Sequence, residues 1–195
     1  MTRCNDAMSI CEDRLSMAEA RQRYFASNGF DGSYSDRWVK LNAGPIAAYF
    51  PNAPGRVRAV KVHDLHHVVT GYQTTWTGEA EIGAWEIASG CGRFFWAWAL
   101  NVSAFAVGVV IAPRAVFRAF VLGRHTRNLY HIPSESRDAL LARSVGDVRR
   151  DLGLDQTTPA PQPADIAAFV AWVAAAVALS LAPWVAAVAL LVRVV

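Results

Sequence analysis

Charge is scarce in this chain, and cysteine is scarcer. Only 18% of its residues are charged while 53% are hydrophobic, against about 25% charged in an ordinary soluble domain. The formal net charge of +3 is too small to build the basic footprint of a nucleic-acid binder. Cys4, Cys11 and Cys91 show no CxxC spacing, and their odd number leaves no complete disulfide framework. They suit a reducing compartment, as buried or surface thiols. The opening MTRCNDAMSICEDRL has no apolar core, so a secretory signal is not expected there. Sustained two-residue alternation is missing as well, so an all-α fold is expected.

What is present is distributed unevenly. The stretch 93–153 carries nine Arg against Glu135, Asp138, Asp147 and Asp151, whereas 1–92 is close to neutral. A basic middle beside apolar segments suits an anionic membrane surface. Helical spacing of Met8, Cys11, Leu15, Ala18 and Phe25 predicts a first helix over 6–25. Ser35-Asp36 is expected to cap a second, carrying Trp38, Leu41, Ile46 and Phe50. Helices over 56–70 and 78–89 follow the turn at 51–55. The run 94–112 has no charge and just reaches the length of a span, but Asn101, Ser103 and its aromatics favour a buried or membrane-dipping helix. Past Pro133-Ser134, Leu141, Val145, Val148 and Leu152 predict one amphipathic helix.

The tail divides cleanly. DQTTPAPQPAD reads as a Pro-rich linker. Residues 166–192 carry no charge, and as a helix they would run about 40 Å, enough to cross a bilayer with tilt. Arg concentrated ahead of the linker would keep the preceding domain on the cytoplasmic face. The expected organisation is a helical metal- and lipid-binding domain over 1–153, a linker over 154–165 and a C-terminal membrane anchor over 166–195.

Histidine is also rare, yet three of the five His lie within HDLHH at 63–67. On a helix His63 and His67 are one turn apart, roughly 40° around the axis, and two such imidazoles can chelate one ion. Asp64 sits on the flank of that face. Gly71 offers a stop, and a returning helix from Gly78 would bring Glu79 back toward the pair. His63, Asp64, His67 and Glu79 are the expected metal ligands. Their nitrogen and oxygen donors suit Zn²⁺ first, with Mn²⁺, Co²⁺ or Fe²⁺ also compatible. Glu86 is seven residues on, near the same face as Glu79, and is expected to act as a proton donor or as an acceptor for a ligand imidazole.

The wider string HDLHHVVTGYQTTWTGEAEIGAWE resembles the coenzyme Q biosynthesis protein 4 family, marked by HDxxH-x11-E. The pattern falls on His63, Asp64, His67 and Glu79 without a gap. Thr70-Gly71, Gly78-Glu79 and Trp85-Glu86 match around it, and a weaker similarity extends from about Arg23 to Leu154. The resemblance implies ubiquinone synthesis: removal of the C1 carboxyl of a polyprenylated aromatic ring, coupled to hydroxylation there. It also implies assembly with other quinone-biosynthesis enzymes, and a homodimer is compatible with it. Phe94, Phe95, Trp96, Trp98 and Phe105 would then line a channel for the isoprenoid tail. A noncatalytic lipid-binding scaffold is the competing role. HD-type phosphohydrolase chemistry ranks low, because no His precedes His63.

Overall fold

A computed structural model describes residues 12–30, 34–43, 46–133 and 136–194. Among them the protein is mostly helical. Its elements are α1 (Met17–Asn28), β1 (Trp38–Ala43), β2 (Ile46–Pro51), α2 (Pro54–Thr70), α3 (Trp76–Ser89), α4 (Phe95–Ile111), α5 (Pro113–His125), a 3-10 turn (Leu129–His131), α6 (Arg137–Ala142), α7 (Val145–Leu152) and α8 (Pro163–Val194). They group into two compact units. One comprises Met1–Gly71, Gly92–Ala97 and Leu129–Asp155, the other Tyr72–Cys91, Trp98–Asn128 and Gln156–Val195.

Three sequence expectations change in the first unit. The second predicted helix is an antiparallel hairpin, with Trp38 opposite Pro51 and Ala43 opposite Ile46. Pro45 explains this: inside a helix it would remove one hydrogen bond and clash with the preceding turn. Val39, Tyr49 and Phe50 are also residues that suit a pleated strand. The first predicted helix is interrupted before Met17, where Ser16 caps α1 in a reciprocal box with Glu19. Its Met8 and Cys11 lie outside the described residues, as does Cys4. The helix predicted after Pro133 is two helices, because the Ser144 side chain accepts the Asp147 N–H and starts α7 afresh. Ser16 and Ser144 pair across the two breaks.

The core of this unit gathers Met17, Val62, Leu65, Val69, Leu140, Val145 and Val148. Arg149 ties α7 to the end of α2, donating from Nε to the Val69 carbonyl at 2.8 Å and from Nη1 to Asp13 at 2.6 Å. Helix-end carbonyls have no partner of their own, so this contact satisfies one of them.

In the second unit α3 lies against α5, and small residues set how closely. A Cβ on Gly123 of α5 would fall 2.4 Å from the Trp85 carbonyl oxygen, and on the neighbouring α4 one on Gly108 would fall 2.3 Å from the Ala80 Cβ of α3. Trp85 donates its indole N–H to Thr126 at 2.9 Å. Phe105, Phe117 and Phe120 surround Phe169 of α8 with centroids 5.0–5.5 Å away. Asp165, at the start of α8, meets Arg124 at 3.2 Å and His125 at 3.1 Å. The stretch Pro163–Ala182 has a mean hydropathy of 2.0 and is long and apolar enough to cross a membrane. Only 11% of its apolar window is buried, which separates it from a core helix. At 17 residues α4 falls short of the roughly 20 that a span needs.

Candidate metal centre

Helix α2 begins at Pro54, whose missing N–H costs nothing at a first helical position. It ends where Gly71, at φ 74°, donates to the His67 carbonyl. A left-handed cap of this kind favours glycine. Within the helix, His63 Nε2 and His67 Nε2 are 3.2 Å apart, and the rings are nearly perpendicular at 88°. Two nitrogens bound to one tetrahedral ion at 2.0–2.1 Å would be about 3.3 Å apart. The observed separation therefore suits two ligands on one ion, as well as a hydrogen bond between the rings. Tyr24 of α1 stacks on the His67 ring, with centroids 5.3 Å apart and planes 17° from parallel.

Glu79 stands in the first turn of α3. Thr75 caps that helix by accepting the Gly78 N–H at 3.2 Å. Gly78 is required there, since a Cβ would meet the Gln73 carbonyl oxygen at 2.0 Å. Donor atoms of His63, His67 and Glu79 lie within 4.8 Å of one another, a group that could hold a metal ion. His67 is buried and the other two are half-buried. Three protein donors would leave coordination positions for water or substrate, the pattern of catalytic sites.

Asp64, expected as a fourth ligand, lies outside that group. Its Oδ2 accepts the Tyr34 hydroxyl, and that carboxylate together with burial raises the Tyr34 pKa far above its usual value, burial being the larger cause. Tyr34 is held in turn by Asn52, which donates to its carbonyl at 3.1 Å, and Lys61 sits 5.2 Å over its ring. His66 has a structural task. It is fully buried, accepts the Leu129 N–H on Nε2 at 2.9 Å and packs edge-on against Tyr130.

Glu86 also lies outside the group. It is fully buried and accepts from the Asn101 amide. Asn101 reaches Cys91 Sγ at 3.5 Å as well. Burial, reinforced by the Glu86 charge, pushes the Cys91 thiol up to about 12. The aromatics expected to line a channel have separate neighbours. Phe94 packs on Tyr130, Phe95 is 73% exposed and Trp96 abuts Gly55. Trp98 stacks on Trp172 at 5.6 Å. Phe105 is fully buried against Phe120 and Phe169, so it fills the core of its unit.

Tyr24, Tyr34 and Asn101 are the contributors that sequence reasoning did not find. The two tyrosines come from segments with no periodic relation to α2. Asn101 did carry a signal, a lone amide in an apolar helix, which usually marks a buried polar partner. No family model, curated protein or solved structure matches the chain.

Proposed function

We propose that this is a membrane-attached metalloprotein of ubiquinone synthesis. Its reaction would replace the C1 carboxyl of a polyprenylated aromatic ring by a hydroxyl group, the carboxyl leaving as carbon dioxide, water supplying the hydroxyl oxygen and molecular oxygen taking up the two electrons as hydrogen peroxide. The observation that carries this reading is the group His63, His67 and Glu79, with donor atoms within 4.8 Å. It falls in the HDxxH-x11-E spacing by which the chain resembles the coenzyme Q biosynthesis protein 4 family. Zn²⁺, Mn²⁺, Co²⁺ or Fe²⁺ would each accept two imidazoles and a carboxylate. Such an ion would stabilise negative charge developing on a substrate carboxylate or phenolic oxygen.

The chain's own residues would prepare that step. His63 and His67 supply neutral donors, and Tyr24 fixes the plane of the His67 ring. Glu79 brings the negative charge that favours a cation over a second anion. Asp64 and Tyr34 hold one another, which braces the helix turn that carries His63. The apolar helix α8 supports a place at the bilayer, where a polyprenyl tail would remain, since each CH₂ moved into water costs about 0.8 kcal/mol. The domain would face the cytoplasm, beside other enzymes of the same synthesis.

The test is turnover by full-length protein in lipid, using a prenylated, carboxylated aromatic and mass spectrometry of the product. Glu79→Gln is expected to abolish turnover while helical content, membrane recovery and partner recovery stay at the parent level. Undiminished turnover by that variant would contradict the proposal. A parent that binds the prenylated lipid and recruits partners without turnover would instead support the scaffold role.

A further inference from the structure

The apolar surface of the second unit extends beyond α8. Along α4, Asn101, Phe105 and Gly108 are buried at helical spacing, while Val107, Val110 and Ile111 are 43%, 81% and 51% exposed. At 100° per residue those three fall within an arc of about 100°. Ser103 is exposed in the same arc, and its hydroxyl donates to the Ala99 carbonyl of its own helix at 2.9 Å. No side chain on this stripe therefore needs water. Directly after it, α5 exposes Arg114 and Arg118.

We infer that this face of α4 is a bilayer-contacting surface. It rests in the boundary between headgroups and acyl chains beside α8, with Arg114 and Arg118 on anionic headgroups. The inference rests on α8 being a membrane helix, and turns a single anchor into a two-helix contact.

Two observations choose lipid over a protein partner. Val177 through Ala182 are six consecutive exposed residues, and at 100° each they sweep the whole circumference of α8. A groove or a second copy would cover one side, whereas lipid covers every side. The one hydroxyl in 166–192, on Ser180, donates to the Ala176 carbonyl at 2.8 Å, the internal satisfaction that a helix in hydrocarbon requires. Secondly, α4 is fastened to α8. Trp98 stacks on Trp172 with planes 10° from parallel, and Phe105 packs on Phe169 at 5.5 Å. A bilayer surrounding α8 therefore meets α4.

The helix is too short to span and is closed by Pro113 and Arg114, so it lies at the interface, about 5–10 Å below the headgroups. Arginine stems can run along apolar surface while their guanidinium groups reach outward.

Nitroxide labelling of the full-length protein tests this, in vesicles of phosphatidylcholine and phosphatidylglycerol. Cys4 and Cys11 are replaced by Ser, and Cys91 is buried. Single labels are placed at Val110→Cys, at Val107→Cys as a second reporter, at Leu179→Cys on α8, and at Thr158→Cys in the exposed linker. All four sites are exposed. Collision with oxygen, which concentrates in lipid, is compared with collision with a water-soluble nickel chelate. Labels at 107, 110 and 179 are expected to favour oxygen, 179 most strongly, while 158 favours nickel. If 107 and 110 favour nickel while 179 favours oxygen, the inference is overturned and the anchor stands. If 179 also favours nickel, both fall.

Discussion

Tyr24 stacks on the His67 ring with planes 17° from parallel, so its influence is on ring orientation. Tyr24→Ala is expected to weaken divalent-metal affinity about tenfold, the usual cost of losing an outer support for a ligand. Tyr24→Phe keeps the stack and should leave affinity unchanged, as read by competition with a chromophoric chelator. Cys91 supports a second prediction. Its pKa rises from 9.0 to about 12 on folding, so above pH 9 the unfolded chain loses the proton first. Stability is therefore full below pH 9 and falls as pH climbs toward 12, at up to about 1.4 kcal/mol per pH unit. Denaturant titrations of Cys91→Ala should show a flatter decline across that window. Residue types alone were enough to propose His63, His67 and Glu79, because helix geometry converts their spacing into proximity. Adjacency in sequence suggested Asp64 as a further ligand, but it cannot reveal that a tyrosine thirty positions earlier donates to its Oδ2.

At the scale of elements, close approach of α3 and α5 depends on Gly123. Gly123→Ala puts a methyl group against the Trp85 carbonyl and the Ala88 Cβ. Overpacking of this kind should cost about 2 kcal/mol, or roughly 4–8 °C in the thermal midpoint. Thr75→Ala removes the cap of the helix that bears Glu79 and should cost about 1 kcal/mol, measurable in the same melts. The long helices were legible because apolar periodicity and a glycine stop agree, as at Gly71. The hairpin was not. Trp38, Leu41, Ile46 and Phe50 happen to fall near helical spacing, and the strand reading depends on Pro45 outweighing it. The break at Ser144 was hidden for a related reason: the apolar positions continue in phase across it, while only the cap chemistry marks a new start.

For the molecule as a whole, composition already separated an apolar C-terminal helix from the rest, and α8 bears that out by length and apolarity. What composition could not convey is that α8 is fastened at its start, by Asp165 to Arg124 and His125 and by Phe169 among three phenylalanines. A tail read as a tethered anchor is packed into a helical unit, because its first turns carry one acid and two large aromatics in an otherwise featureless run. Everything functional nevertheless returns to whether one cation sits among His63, His67 and Glu79. Elemental analysis of full-length protein extracted from membranes is the direct measurement. Close to one divalent ion per chain is expected, as for a defined site, with loss of that ion in the folded His63→Ala/His67→Ala variant. A folded parent that takes up no zinc, manganese, cobalt or iron, or a double variant that keeps a full complement, would contradict the account.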